Sequence, residues 1–398
     1  MLNVKTVKET KVIIDTLVQE KADVEEVFIQ DAMGRVLAED LYSNENIPNF
    51  TRSTVDGYCV KASDVFGCTD TMPIMLKDLG SVKMGEYPTY IVKTGQCAYI
   101  PTGACMPEGT DSVVMIEHTE NYGYEVGILK PVAPGDNVIF EGDDMKRGEL
   151  LLRKGTKIDS RKCGLLAASG INTIKVKKKI RVGVISTGNE LVSGEKELQK
   201  GQIYDVNGPM LIVALKECGC TADFLGIIQD EEERFEEMLR YAVKEYDMVL
   251  ISGGTSVGTR DLTAKILRKI GTIQVQGIAV KPGKPTIVAN LNEKIVFGLP
   301  GNPMAVYFIY YLFVRNAINN MYGYSEIQRI GKKILGVSIS SNHGREEYIP
   351  VKIEEEKAYP IRGKSGLISM LKDADGYIYI ERDMEGLSSG MTVNVICF

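Results

Sequence analysis

Asp247-Met248-Val249-Leu250-Ile251-Ser252-Gly253-Gly254-Thr255-Ser256-Val257-Gly258-Thr259-Arg260-Asp261 is where the fold class is legible. Met248 to Ile251 is a short, continuous apolar run, the pattern of a strand covered on both faces of a sheet. It then breaks into small residues. Gly253, Gly254 and Gly258 let backbone amides approach a ligand, Ser256 adds a hydroxyl, and Asp261 stands where the next helix, 262–270, is expected to begin. Strand end, glycine turn and helix start together suit an anion or nucleotide at the carboxyl edge of an α/β sheet. A tight turn with no ligand would carry the same glycines, so the surroundings must decide.

Outward from this stretch the alternation continues. Arg181 to Ile185 reads as a buried strand followed by Ser186-Thr187-Gly188-Asn189-Glu190. Asn207-Gly208-Pro209 has the form of a helix start, with Gly219 as its stop. Thr221 to Leu225 is a strand, and Asp230 with Glu233 has capping-box spacing for a helix to about Tyr246. A strand over 273–280 leads to Lys281-Pro282-Gly283-Lys284-Pro285. Two further strand-like pieces then reach Pro300-Gly301-Asn302-Pro303, which caps an apolar helix to about Tyr322. Strands separated by helices imply a mostly parallel, doubly wound sheet whose strand-end loops share one edge. Glu190, Asp230, 253–261, Lys281, Lys284 and 300–302 are therefore expected to converge. Two lysines in a stiff Pro-Gly-Pro frame suit an oxyanion or phosphate, and carboxylates beside them suit a metal ion, a hydroxyl or a proton. Asp230 reads at least as well as a helix cap, Asp261 can be read as one too, and a solvated turn is the lesser alternative for the lysines.

On either side the texture differs. Residues 5–21 have helical spacing, with Val12, Ile13, Leu17 and Val18 on one face. Residues 24–45 and 145–177 read as connecting segments, the latter with a helix near Asp159 to Ala168. Between them, 46–144 is rich in β-branched pieces such as 90–93 and 112–116, separated by Gly and Pro turns, and reads as a small all-β module. Gly142-Asp143-Asp144 suits either a hard cation or a solvated turn. After Gly323 the pattern returns to β, a separate β-rich domain with a short helix, 367–374, after Arg362-Gly363-Lys364-Ser365-Gly366.

Composition bounds the chemistry. The 398 residues, 44% hydrophobic and 25% charged, suit a multidomain globular chain, and the net charge of −6 argues against nucleic acid as a partner. Eight scattered cysteines do not form a disulfide framework, and with only His118 and His343 a zinc site is not expected. His118 reads as a surface residue. The polar amino terminus is unlike a signal peptide, and the longest apolar run, 304–314, is too short for a membrane span, so a cytoplasmic protein with no membrane partner is expected. There is no P-loop, no strand-linked Gly-x-Gly-x-x-Gly and no Ser-His-Asp arrangement.

Six motifs recur in order across nearly the whole chain: Pro48-x-Phe50-x-x-Ser53-x-x-Asp56-Gly57-Tyr58, Pro101-Thr102-Gly103-Ala104, 184–191, Ser252-Gly253-Gly254-x-Ser256-Val257-Gly258-x-x-Asp261, 281–285 and 299–303. In these the chain resembles the molybdopterin molybdenumtransferases, the family of MoeA and the gephyrin E domain. The resemblance implies an elongated homodimer of four domains. These are a three-layer α/β molybdopterin-binding domain resembling the adenylyltransferases (1–23 and 178–322), an elongated linker and dimerisation domain (24–45 and 145–177), a β module (46–144) and a C-terminal β-barrel-like domain (323–398). It also implies that the first helix packs back onto the α/β domain. The implied reaction inserts molybdate-derived molybdenum into adenylylated molybdopterin and releases AMP with Mg²⁺ present; tungstate is a substitute of the same charge and shape. The molybdopterin adenylyltransferase becomes an expected partner.

By matched position, Asp56, Glu190, Asp230, Asp261, Lys281 and Lys284 would be catalytic, with Asp56 reaching the site from the β module of the second subunit. Glu190, Asp230, Asp261 and Asp144 would hold metal. Thr102, Gly103, Thr187, Gly188, Asp205, Asn207, Ser252, Gly253, Gly254, Ser256, Gly258, Pro282, Gly283, Pro300, Gly301, Asn302, Pro303, Ser365 and Ser369 would bind substrate. The chain departs from the family pattern at Ile139 (usually Arg), Asp143 (usually Glu), Ala305 (often Ser) and Val55 (usually Met). Anion contacts made by the usual Arg and Ser do not carry over. A non-catalytic scaffold, as in gephyrin, and a tungsten-specific or otherwise diverged paralogue are the alternative readings.

Overall fold

The computed structural model describes residues 4–398 except 22, 230, 254–256 and 364–365, together with the side chains of 257–261. Its centre is a six-stranded sheet. In spatial order the strands are Thr221–Ile228, Arg181–Thr187, Met248–Gly253, Lys294–Leu299, Ile287–Leu291 and Thr272–Gln276. The first four run parallel, and the last two are added antiparallel. Met248 and Leu250 enter one apolar layer with Val182, Val184, Phe297 and Phe308, while Val249 and Ile251 enter the other with Ile185, Phe235, Leu239 and Ile266. That alternation makes three layers, the expected architecture. Because the four parallel strands point the same way, their carboxyl ends form one edge.

The first helix, Val7–Leu17, is capped by Thr6 and Glu9 in a reciprocal box and packs onto the α/β core through Val7 and Ile14. The expected packing back onto this domain is present, and Ile13, Leu17 and Val18 of the expected face do pack against the core, but the face is rotated from the expected one. Val12 is exposed, and Val7, Thr10 and Ile14 are inside. Lys5 extends the tie by exchanging backbone bonds with Gly277 and Ala279.

Asp159 caps the helix Ser160–Ala168, within the unit where Val24–Phe28 pairs with Thr173–Lys177 and Leu41–Tyr42 with Leu150–Leu152. Ile29, Leu37, Ile158, Leu166 and Ile174 form its core. The β module holds a six-stranded sheet of its own. Residues 90–93, expected as a strand there, contribute only the bridge Ile91–Glu108, since Pro88 and Gly95 close in on either side. At the C-terminus, Glu346–Glu354, Lys357–Pro360, Ile330–Leu335, Thr392–Cys397 and Gly376–Ile380 pair in turn, and the last returns to the first, closing a barrel around Leu335, Ile349, Val351 and Ile378.

Two elements differ from expectation in ways that shape the site. The strand expected over 273–280 stops at Gln276, because Gly277 takes φ +94°. The chain resumes as Val280–Lys281, which pairs with Glu346 and Glu347 of the barrel instead of continuing the central sheet. The apolar helix after Pro303 is broken by one wider turn, Tyr310–Val314, before continuing as Arg315–Tyr322 to Gly323 in the left-handed conformation. All eight cysteines are free thiols. Among the described residues no helix is long and apolar enough to cross a membrane.

Candidate active site

The carboxyl edge is knit together by one amide. Asn207, expected as a helix cap, is the first residue of the helix Asn207–Glu217, and its side chain turns away from the helix backbone. Its Nδ2 donates to Ser252 Oγ, at the end of Met248–Gly253, and to Gly301 O, in the loop after Lys294–Leu299, each at 2.8 Å. Three strand-end segments are therefore held in one place. Asp205 supports the arrangement: Oδ2 accepts from Ser186 Oγ at 2.7 Å, and Oδ1 accepts from the amides of Asn207 and Gly208 at 3.1 Å. Both carboxylate oxygens are thus engaged within the protein, and Asp205 sets the start of the helix. Thr187 and Ser252 are buried beside each other at the strand ends.

Glu190 lies on the same edge, in the loop after Arg181–Thr187, with its backbone carbonyl bonded to Ile203. A Cβ at Gly188 would sit 2.9 Å from Glu190 Oε2, so only glycine at 188 lets that carboxylate fold over the strand end. Asp230, Gly254 and Ser256 lie outside the described residues. The helix expected from 262 begins at Val257, which places Gly258 and Asp261 within it; their side chains are outside the described set. The helix after Asp230 begins at Glu232, with Glu231 at the cap and no side-chain bond from that residue; the capping box expected of Asp230 and Glu233 involves a residue outside the described set.

Beside this edge opens a cavity of about 610 Å³ between the central domain and the barrel. One wall is Lys281, Pro282, Gly283, Lys284 and Pro285; another is Pro300, Gly301, Asn302 and Ala305. The lysine loop is held by the strand pairing of Val280–Lys281 with the barrel and by an ion pair from Lys281 Nζ to Glu347 Oε1 at 2.8 Å. Gly283 has φ +121°, and a Cβ there would lie 2.5 Å from Ile309 Cδ1, so the loop is seated against the helix in a shape few other residues allow. Lys284 is exposed and, among the described residues, makes no ion pair. The barrel adds Arg345, Glu347 and Arg362 to the lining, none of which the sequence reading assigned to the site. For Arg362 the signal was present, a basic side chain in a Gly- and Ser-rich loop; Arg345 carried none. Ser369 starts the short helix Ser369–Lys372 and is exposed, while its neighbour Met370 lines the cavity. Ser365 lies outside the described residues, and Gly366 beside it approaches Asn302. Pro303 opens its helix at the first position.

The candidates in the β module form a separate group. Thr102 donates to Asp56 Oδ1 from its amide at 2.6 Å and its hydroxyl at 2.9 Å, and these bonds hold the carboxyl below its ordinary range. Gly103 follows with φ +84°. Asp144 stands in the turn that closes the module, its amide bonded to Ile47 O, and Asp143 accepts from the Phe140 amide as a turn residue does. Ile139, expected as a departure from the family's arginine, pairs with Arg52 across a two-residue antiparallel ladder. Among the described residues, no three His, Cys, Asp or Glu side chains gather as metal ligands.

Comparison with known proteins gives three consecutive family matches: the MoeA N-terminal region (domain I and II) over residues 5–170, a probable molybdopterin binding domain over 183–320, and the MoeA C-terminal region (domain IV) over 332–398. The chain is 35% identical over 388 residues to a putative molybdopterin biosynthesis protein of Methanocaldococcus jannaschii, covering 94% of this chain and 92% of that one. It is 32% identical over 377 residues to a molybdopterin molybdenumtransferase of Haemophilus influenzae, covering 92% of each. The crystal structure of a molybdopterin biosynthesis protein from Pyrococcus horikoshii superposes with a TM-score of 0.88 at 33% identity, over 100% of both chains.

Proposed function

The chain belongs to the MoeA family of molybdopterin molybdenumtransferases, and from that premise we propose that its sheet edge and adjoining cavity transfer molybdate-derived molybdenum to adenylylated molybdopterin with release of AMP. It is a transferase of molybdenum cofactor biosynthesis. The observation that carries the finer reading is the cavity of about 610 Å³ where Lys281, Lys284, Arg345 and Arg362 meet the Pro300-Gly301-Asn302 turn. Four cations around one recess suit a tetrahedral dianion, and a recess beside glycine strand ends suits a phosphate already attached to a nucleoside.

In this reading the oxyanion enters beside Lys284 and Arg345. Lys281 is held by Glu347, so its ammonium is positioned before the anion arrives and little ordering remains at binding. Glu190 lies at the strand-end side of the edge, where a nucleotide phosphate would come closest to the glycine turn. Its carboxylate suits Mg²⁺, a hard cation that takes oxygen ligands and keeps part of its shell for substrate phosphate and water. Glu190, with Asp230 and Asp261 by matched position, would hold that ion, which supplies charge neutralisation at the anhydride oxygen when bound. Asp56, kept ionised by Thr102, would by matched position reach the same reaction from a second subunit's β module in a homodimer.

The test is direct. Purified protein is given adenylylated molybdopterin and Mg²⁺, with and without molybdate or tungstate, and free AMP is followed. Release that depends on the oxyanion, and that is lost in folded Asp261→Ala and Lys284→Ala proteins, is the expected result. AMP release indifferent to both substitutions would remove these residues from the reaction.

A further inference from the structure

Asn207 is 7% exposed, and its amide is only half used. Both Nδ2 hydrogens are committed, one to Ser252 Oγ and one to Gly301 O. Its Oδ1 is buried and, among the described residues, has no hydrogen-bond partner. A buried acceptor left unpaired is costly, and in a folded protein such a group is normally served by a ligand or an ordered water. Its neighbours narrow what can arrive. An oxyanion has no proton to give and would be repelled. The nearby Asp205 carboxylate already accepts from Ser186 and two amides, and among the described residues no set of three His, Cys, Asp or Glu side chains gathers to hold a dication. What fits is an N–H or O–H donor.

Gly301 connects this position to the cation-lined cavity, since it accepts from Asn207 and also lines that recess. We propose that Asn207 Oδ1 receives a hydrogen bond from a neutral N–H or O–H of the substrate, marking the end of the ligand opposite its oxyanion and so fixing which way round it lies. This rests on the reading of the edge as a nucleotide and pterin site. In that substrate the donor is either a sugar hydroxyl or amine of the nucleoside, or the amine of the pterin; both offer the same chemistry.

The test is a cycle between donor and acceptor, with binding followed by calorimetry. The probes are AMP against 2′-deoxy-AMP, 3′-deoxy-AMP and purine riboside 5′-monophosphate, and pterin against 4-hydroxypteridine, which lacks the 2-amino group. In the wild-type protein, one donor-deleted probe should bind about tenfold or more weakly than its parent, because it leaves the acceptor unpaired. The series in which this happens identifies the source. In Asn207→Leu that loss should disappear, since no acceptor remains. Asn207→Asp keeps the acceptor oxygen while losing the amide donors, so it should still discriminate between the probes. If Asn207 serves only to tie the three loops together, Asp and Leu will behave alike and no probe will lose affinity selectively, which overturns the proposal. Should the Leu protein not fold, equal binding of every probe to its parent in the wild type overturns it equally. If neither AMP nor pterin binds the wild type at millimolar concentration, the nucleotide and pterin reading itself fails; binding without discrimination defeats only the role given to Asn207.

Discussion

The two ends of the central sheet are made of similar side chains put to opposite use. At the amino end, Asp247 accepts from Lys21 Nζ at 2.7 Å and from the Arg181 amide at 2.8 Å, with Lys294 Nζ 3.8 Å away. Arg181 lies over the Tyr246 ring at 5.0 Å. Each charge there meets a partner. At the carboxyl end, Lys284 has no such partner among the described residues, Arg345 and Arg362 face a cavity, and Asn207 holds a buried acceptor in reserve. Opposite charges paired with good geometry offset part of the cost of leaving water, whereas cations that outnumber their counterions around a recess repel one another until an anion arrives. One end pairs its charges within the fold, and the other leaves Lys284 and the Asn207 acceptor without partners among the described residues.

The largest effect should come from exchanging one lysine at each end. Lys284→Met should lower oxyanion-dependent AMP release by about 100-fold or more, as loss of a preplaced donor at a charged transition state does, with little change in melting temperature. Lys294→Met should leave AMP release per folded molecule unchanged. Equal kinetic losses from the two would erase the contrast between the ends. A smaller effect is expected at Gly283. Alanine there must adopt φ +121° with its Cβ 2.5 Å from Ile309 Cδ1, and should cost about 2 kcal/mol of stability while displacing the lysine loop. Denaturant unfolding and AMP release measured on the same protein would show the two losses together. A Gly283→Ala protein as stable and as active as wild type would mean the loop shape is not needed.

The division between the ends was partly readable in the sequence. Met248 to Ile251 announced a strand covered on both faces, because an uninterrupted apolar run has no wet side. Gly219 and Gly323 marked helix ends, since φ of +83° and +66° suits glycine. The edge position of Glu190, Gly253 and Gly301 followed from parallel topology alone. Other features depended on tertiary packing that local pattern does not encode. Val12 reads as core by helical spacing, yet the neighbouring layer meets Val7 and Ile14 instead. Val280 and Lys281 continue a strand pattern but pair with Glu346 and Glu347, residues more than sixty positions away. Asn207 has the composition of a cap, and only the arrival of Ser252 and Gly301 turns it into a strut. Arg345 joins the site for the same reason, from a different domain.

The smallest expected effect lies at the amino end and tests whether its charges stabilise the fold. Burial pushes the Asp247 carboxyl up, but the Arg181 amide and the ammonium groups of Lys21 and Lys294 outweigh it, and the folded value falls below the ordinary 3.8. A carboxyl depressed by folding adds stability that is fully present above its unfolded value and is lost as pH falls through the folded one. Asp247→Asn should therefore be less stable than wild type by about 1 kcal/mol at pH 7, a modest figure because the pair is only partly shielded from water. The gap should hold down to about pH 4 and close at lower pH, where the wild-type carboxyl takes up its proton. Unfolding curves at pH 7, 5, 4 and 3 would measure it. A gap that stays constant with pH would assign the loss to altered packing, and no gap at pH 7 would mean that pairing these charges contributes nothing to the fold.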